Sequence, residues 1–208
     1  MRATVFVDVL SHWCLAAMPA MRTLGNLTPN IEIVYAPTHN GKPGGYSREL
    51  MQWYLKRGSL AYGREFRADW YEGPQGGTWF ANAVALVGTE MSGEAMRTMH
   101  AMMSAALEQG AKAGRADVCF ELMGKYLGIP ASDVAARVND PATAARLEAG
   151  NHRLAALGAD ERPTFLLESE IGDRALLKGM WQEDAVAGVA MALLHDERSY
   201  AAAGPQPA

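Results

Sequence analysis

The sequence predicts an α/β fold in which a block of helices interrupts a small β-sheet. Three observations lead to this prediction. Strand-like segments lie near the two ends of the chain, the long middle reads as helix, and the order of elements is βαβ, helices, ββα. A sheet divided in this way must join its N-terminal and C-terminal strands into one layer, which leaves the helices as an excursion.

The N-terminal segment predicts a βαβ unit. Residues 3–9 are apolar on both faces, which is typical of a buried strand. Helix formers follow over residues 14–25, and β-branched residues over 31–36 indicate a second strand. Two parallel strands joined by a helix of this length form a right-handed unit. Pro19 interrupts the helix, and an interior proline kinks a helix at a cost of about 3 kcal/mol, so we expect it to serve the local geometry.

Helical patterns dominate the chain from about residue 47 to residue 158. Glycines and a proline at residues 73–77 break the pattern. The helices predicted after this break span residues 78–89, 93–112, 116–127 and 140–158. The last of them opens with Asp140 as N-cap and Pro141 at the first helical position, a common pairing at helix starts.

Strand patterns return after Gly158. Strands are predicted over residues 163–168 and 174–178, followed by a final helix over residues 182–195. Residues 201–208 contain glycine and two prolines and are predicted to be disordered. The predicted domains are therefore a sheet domain formed by residues 1–45 and 159–200 and an inserted helical domain formed by residues 46–158.

The composition excludes several classes of partner. The net charge of −4 over 208 residues argues against nucleic acid, because phosphate binding requires a basic surface. No apolar run approaches the roughly 20 residues that cross a bilayer, and the N-terminus lacks the pattern of a secretory signal. We therefore expect a cytoplasmic protein without a membrane partner. No His, Cys, Asp or Glu cluster has metal-ligand spacing, so no metal is expected.

Two segments fall where such a fold would place an active site. Ser11-His12-Trp13-Cys14 lies between the first strand and the first helix. A helix N-terminus offers free N–H groups and a partial positive charge, which stabilise an anion such as a thiolate. Arg162-Pro163-Thr164 opens the third strand. An X–Pro bond can be cis at a cost of about 0.5–1 kcal/mol, and a cis bond here would expose the backbone of the preceding residue to a ligand.

The segment Asp8-Val9-Leu10-Ser11-His12-Trp13-Cys14 resembles the strand-to-helix motif of the DsbA-like branch of the thioredoxin superfamily, where Asp and two further residues precede Cys-x-x-Cys. Asp-Val-Leu-Ser is also similar to kappa-class glutathione transferases and 2-hydroxychromene-2-carboxylate isomerases, which have serine at the first motif position. The Trp-Cys pair resembles FrnE-like members, and Pro163-Thr164-Phe165 resembles the family's cis-Pro-Thr-Phe strand. Covering residues 3 to about 195, the resemblance implies a thioredoxin-like fold with an inserted α-helical domain.

Three positions depart from the family pattern. Ser11 replaces the first cysteine, so the motif cannot form its internal disulfide and dithiol cycling is not expected. His12 replaces the proline of the FrnE-like pattern. Arg162 stands before the proline, where these families usually have valine or another small residue.

Each residue of the Ser11 segment has two interpretations. The resemblance implies that Ser11 donates a hydrogen bond to the thiolate of bound glutathione, whereas helix statistics allow a plain N-cap serine. Cys14 is either a reactive or resolving thiol or a half-buried packing cysteine. His12, whose ordinary pKa is near 6.5, is either an acid–base group that also stabilises a thiolate or a solvent-facing loop residue. Trp13 is interpreted as a packing lid beside the site rather than a ligand platform.

The proline segment adds the second half of the predicted site. Arg162 is either a partner for a substrate carboxylate or a surface arginine. The resemblance implies that glutathione lies along the strand that begins at Pro163 and Thr164 and pairs with the backbone of Arg162.

Three hypotheses of function follow. The leading one is a glutathione-dependent isomerase or transferase that acts on a small electrophilic, aromatic compound. The second is a thiol-disulfide oxidoreductase that uses Cys14 as a single cysteine through mixed disulfides. The third is a non-catalytic binding module. The expected partner is a small-molecule or thiol substrate, and a homodimer stays an open alternative.

Overall fold

The computed structural model describes residues 1–38, 47–71 and 77–204. Most of the predicted break at residues 73–77 therefore lies outside the described residues. The same holds for the predicted domain boundary at residues 45 and 46 and for the last four residues of the predicted tail, so the domain division stays a prediction.

The chain order of the described elements is βαβ, a helical block, then ββα. The first unit consists of β1 (Arg2–Val7), α1 (His12–Ala16), α2 (Met18–Leu27) and β2 (Ile31–Tyr35). The block consists of α3 (Arg48–Tyr62), α4 (Trp79–Ser92), α5 (Ala95–Leu107), α6 (Ala116–Leu127), α7 (Ala131–Val138) and α8 (Pro141–Ala156). The last unit consists of β3 (Thr164–Glu168), β4 (Arg174–Lys178) and α9 (Glu183–Ala203).

The four strands form one mixed sheet in the order β2-β1-β3-β4. β1 runs parallel to β2 and antiparallel to β3, and β3 is antiparallel to β4. Val5 therefore lies between Ile33 on one side and Phe165 on the other. The predicted α/β fold, with N-terminal and C-terminal strands joined in one layer, is confirmed.

The predicted first helix is in fact two helices that meet at Ala17. α1 ends at Ala16, and Pro19 lies in the first turn of α2. A proline is tolerated there because the N–H it lacks would have no intrahelical partner. The expectation that Pro19 interrupts a helix interior is therefore wrong.

The helical block follows the prediction with two additions. α6 ends before Gly128, which adopts the left-handed conformation at φ 69°, and Asp140 caps α8 by accepting a hydrogen bond from the Ala142 N–H at 2.9 Å. α5 ends at Leu107, before the left-handed Gly110 (φ 75°), rather than near residue 112. The two additions are α3 and α7, which lie inside the region predicted to be helical but were not given bounds of their own.

The final helix is longer than predicted. α9 continues to Ala203, so the predicted disordered tail starts too early: residues 201–203 are helical. Among the helices of the described ranges, none combines the length and apolar character needed to cross a membrane.

The hydrophobic core continues from the sheet into the helical block. One cluster of buried residues includes Val5 and Phe165 from the sheet together with Met102 and Leu107 from α5. The C-terminal end of β1 leads out of this core into the Ser11 segment, which fixes where that segment lies.

Candidate active site

Ser11 occupies the N-cap position of α1 without acting as a cap. Its backbone is extended, as at most helix starts, but its side chain accepts no hydrogen bond from the helix. Its Oγ instead donates to the carbonyl oxygen of Arg162 at 3.4 Å. The two predicted halves of the site therefore meet, and the hydroxyl is not occupied in capping.

The peptide bond between Arg162 and Pro163 is cis. The Pro163 carbonyl accepts a hydrogen bond from the Gly179 N–H at 2.9 Å, which ties the start of β3 to the end of β4. The carbonyl of Arg162 accordingly stands at the beginning of a fixed strand rather than in a loose loop.

The Arg162 side chain is bound to the protein itself. Its guanidinium donates to the carbonyl of Ala36 at 2.7 Å, to the carbonyl of Asp160 at 2.5 Å and to Oδ1 of Asn151 at 2.6 Å. The group is part-buried and joins the end of β2, α8 and the start of β3. The side chain is therefore neither a surface arginine nor free to pair with a substrate carboxylate.

Thr164 does not offer its side chain to a ligand. It is completely buried, and its Oγ1 donates to the carbonyl of Glu161 at 2.8 Å. The hydroxyl therefore closes the turn before β3. Only the backbone of Thr164 is left to contribute to a binding site on this strand.

Cys14 is a packing cysteine in this structure. It is completely buried, and its Sγ accepts a hydrogen bond from the Asp8 N–H at 3.5 Å. Burial raises the pKa of the Cys14 thiol to about 12, and the hydrogen bond from the Asp8 N–H offsets this only in part. Cys119 is buried as well, so neither thiol of the chain reaches solvent.

His12 is buried rather than solvent-facing, and it lines a cavity beside Ser11. Only 8% of it is exposed, and its ring lies 4.7 Å from Trp13 and 5.4 Å from Phe66. Burial, with a smaller contribution from the Arg57 charge, lowers the pKa of His12 to about 4, so the ring is neutral at pH 7. Its Nε2 is buried and has no hydrogen-bond partner among the described residues.

Trp13 packs and also lines the site. Its ring lies between His12 and Trp181, at 5.9 Å from the latter, and the Arg57 guanidinium lies 5.9 Å from the ring centre. The half-buried indole forms part of the cavity wall described next, so it combines the predicted packing role with a surface that a ligand can contact.

A cavity of about 420 Å³ opens beside Ser11. Its apolar and aromatic wall includes Leu10, His12, Trp13, Met51, Tyr54, Trp70 and Trp181, and its charged residues are Asp8, Arg57, Asp160, Glu161 and Arg162. Ligand pockets typically have this size and this largely apolar lining with a few polar groups. Trp70 is 4% exposed, and its indole N–H has no partner among the described residues.

The wall contributed by α3 was not predicted from the sequence. Met51, Tyr54 and Gly58 are spaced three and four positions apart and so share one face of α3. Once the bounds of this helix are known, the spacing is the sequence signal that places the three residues together. Trp70 follows that helix in an irregular segment, where no periodicity marks it.

Asp8 is a second residue whose role was not predicted from the sequence. It is 1% exposed, and its carboxylate accepts four hydrogen bonds. The donors are the N–H groups of Leu10 and Thr38 at 2.9 and 2.7 Å, Nδ2 of Asn82 at 2.8 Å and Oγ1 of Thr78 at 2.7 Å. The sequence signal for this role is the position of a charged residue directly after a buried strand. Asp8 fastens the Ser11 segment to α4.

Chemically, the site offers a hydroxyl and a backbone carbonyl beside an aromatic cavity. Among the described residues, no group of three or more His, Cys, Asp or Glu side chains is placed to hold a metal ion. The arrangement offers hydrogen-bonding groups at the start of a strand next to a surface that suits a flat, apolar ligand.

Comparison with solved structures shows the same fold in several proteins. Two structures of the cytosolic disulfide reductase DsbM from Pseudomonas aeruginosa match 94% of this chain. In the first, the DsbM chain is 21% identical to this chain, 99% of its length is matched and the TM-score is 0.71. In the second, which was solved with GSH, the DsbM chain is 19% identical, 100% of its length is matched and the TM-score is 0.73. A 2-hydroxychromene-2-carboxylate isomerase is 18% identical, with 99% of this chain and 100% of that chain covered and a TM-score of 0.66.

At the level of sequence, the comparison with curated proteins found no match. A family model does match, over residues 3–193, and its description is DSBA-like thioredoxin domain. The resemblance of the Ser11 and Pro163 segments to DsbA-like proteins is thereby confirmed, together with the thioredoxin-like fold. The chain belongs to the DSBA-like thioredoxin domain family.

Proposed function

We propose that this protein is a cytoplasmic, glutathione-dependent isomerase or transferase that acts on a small aromatic electrophile. The observation that carries the proposal is the position of the Ser11 hydroxyl, 3.4 Å from the Arg162 carbonyl at one end of an aromatic cavity, in a chain whose thiols are both buried. Because neither thiol of the chain is accessible, the thiol of the proposed reaction would come from the ligand.

The charged residues that line the cavity are complementary to the charged groups of glutathione, which supports the proposal. Its peptide backbone would lie along the start of β3 and pair with the backbone of Arg162, as an extended ligand pairs with a strand. One of its carboxylates would reach Arg57, and its ammonium group would lie near Asp160 and Glu161; these three exposed residues line the cavity. A structure of similar fold, DsbM, was solved with GSH, which supports the choice of thiol.

The reaction would begin with the glutathione thiolate. The Ser11 hydroxyl would donate to the thiolate sulfur and so lower the pKa of the bound thiol. The sulfur would then add to an electron-poor carbon–carbon double bond conjugated to the aromatic ring, and the π electrons of that bond would move to the adjacent carbon. In a transferase the adjacent carbon takes up a proton from solvent and the C–S bond persists. In an isomerase the former double bond rotates as a single bond, and loss of the thiolate then restores the double bond.

The single-cysteine hypothesis loses support. Attack by Cys14 requires a thiolate that reaches solvent, but this thiol is completely buried and its pKa is raised to about 12.

Calorimetry with reduced glutathione tests the proposal. We expect the wild-type protein to bind glutathione and Ser11→Ala to bind it more weakly, with a higher pKa of the bound thiol in thiolate absorbance titrations. S-methylglutathione, which cannot form a thiolate, should bind both proteins equally. Ser132→Ala, a change at an exposed serine of α7, is the control and should behave as wild type.

Two further measurements complete the test. Arg57→Ala should weaken binding of glutathione, and more so at low salt, because an exposed charge pair is screened by ions. Turnover is then measured with a panel of aromatic electrophiles. Absence of glutathione binding to the wild type would refute the proposal, and binding without turnover of any electrophile would favour the non-catalytic binding module.

A further inference from the structure

Helix α3 rests on His12 at a position that has no side chain. Gly58 is buried in α3, and a Cβ placed on it would lie 2.1 Å from Cδ2 and 2.5 Å from Nε2 of His12. Real Cβ atoms essentially never approach other atoms so closely. The His12 ring therefore contacts the α3 backbone directly, and it does so because residue 58 is glycine.

The His12 ring is packed on two further sides. It lies against Trp13 and Phe66, and Phe66 stacks in parallel on Tyr62 at 5.8 Å. The Phe66 N–H donates to Oγ of Ser59 at 2.9 Å, which fastens the segment after α3 back onto the helix. His12 also lines the cavity, so its ring can move away from α3 only by breaking these aromatic contacts or by entering the cavity.

The contact fixes the side of the cavity that α3 provides. Met51 and Tyr54 lie on the same helix face as Gly58, and both line the cavity that Ser11 and Arg162 also line. A helix moves as a unit, so a shift of α3 at residue 58 changes the distance between the α3 wall and the Ser11 wall.

We infer that the contact between His12 and Gly58 sets the width of the cavity, and that residue 58 is the position that determines which aromatic co-substrates fit. His12 is thus a positioning residue that acts through α3. The selection of co-substrates rests on the proposed function, whereas the packing contact does not.

A double-mutant cycle on stability tests the packing contact. Gly58→Ala should lower the thermal midpoint of unfolding, because the new methyl group collides with a confined ring. In the His12→Ala background the methyl group has room, and Gly58→Ala should raise the midpoint, since alanine is a better helix former than glycine. Gly25→Ala in α2, where an added Cβ meets nothing within 4 Å, is the matched control and should raise the midpoint in both backgrounds.

A substrate series tests the effect on selection. We compare kcat/KM for electrophiles with one aromatic ring and with two fused rings, together with the Kd of glutathione. Gly58→Ala should push α3 outwards and shift the ratio of the two kcat/KM values towards the larger compound by about tenfold or more, the scale of pocket discrimination. The glutathione Kd should change less than about twofold, and in the His12→Ala background the ratio should not respond to Gly58→Ala.

The outcomes separate the two claims. Equal effects of Gly58→Ala in both backgrounds, including failure to fold in both, would overturn the inference. A substrate ratio that stays constant while the stability cycle shows coupling would overturn it as well. If His12→Ala does not fold, His12→Val replaces it as the second background. If the wild type binds no glutathione, the proposed function fails, and the stability cycle still decides the packing contact.

Discussion

The Ser11 Oγ lies 3.4 Å from the carbonyl oxygen of Arg162, although 151 positions separate the two residues. The sheet explains this proximity. β1 and β3 are antiparallel neighbours in which Phe6 faces Thr164, so the end of β1 and the start of β3 meet at the same edge. A hydroxyl that follows one strand and a carbonyl that precedes the other are thereby brought together by strand order alone.

Cys14 should be dispensable for catalysis. Because the thiol is completely buried and its pKa is raised to about 12, it contributes packing rather than chemistry. Cys14→Ala should lower the stability by about 1 kcal/mol, the scale of losing a small apolar group, and leave kcat/KM within about threefold of wild type. Urea unfolding and steady-state kinetics measure both quantities.

A labelling experiment provides the control for Cys14. A maleimide should label neither Cys14 nor Cys119 in the native protein at neutral pH, and both after unfolding in urea. Rapid labelling of native Cys14, or loss of activity in Cys14→Ala with an intact fold, would return the single-cysteine oxidoreductase to consideration.

Arg162 should contribute to stability through its guanidinium. The group donates to three acceptors on separate parts of the chain, and a lysine ammonium cannot reproduce that planar fork. Arg162→Lys should lower the free energy of unfolding by about 2–4 kcal/mol and weaken glutathione binding, because the Arg162 carbonyl loses its support. Arg174→Lys, at an exposed salt bridge to Glu168, is the control and should change stability by less than about 1 kcal/mol.

The case of Arg162 shows how far the sequence alone can lead. Its place at the site was predictable, because Pro163 begins a strand and strand ends converge at a sheet edge. The partners of its guanidinium were not, since Ala36 and Asn151 come from elements whose relative position is set only by the packing of α8 on β2. His12 is similar: its burial depends on a glycine in α3, 46 positions later in the chain, and no local pattern connects the two.

Asp8 should be among the residues most important for stability. Its buried carboxylate accepts four hydrogen bonds, and an amide of the same shape would present an NH₂ group to donors. Asp8→Asn should lower the free energy of unfolding by about 2–4 kcal/mol. Urea unfolding measures the change against Asp196→Asn, an exposed position where less than about 0.5 kcal/mol is expected. Equal small effects would show that the Asp8 hydrogen bonds add nothing net to stability.

His12 should make the stability depend on pH between about 4 and 6.5. Burial first, and then the Arg57 charge, lower its pKa to about 4 in the folded protein, against 6.5 for the ordinary side chain. Between these values the unfolded chain binds a proton that the folded protein does not, so the free energy of unfolding falls as the pH falls. The slope from this group reaches about 1.4 kcal/mol per pH unit, and its total amounts to about 3 kcal/mol at pH 4 and below.

The measurement is a set of urea unfolding curves at several pH values for wild type and His12→Ala. The other ionisable groups are the same in both proteins, so the difference between the two stability profiles isolates His12. We expect this difference to be constant above about pH 7.5 and to shrink as the pH falls towards 4, because only wild type loses the His12 contribution. Profiles that stay parallel throughout would mean that His12 titrates alike in the folded and unfolded chains, which is incompatible with a neutral ring buried against α3.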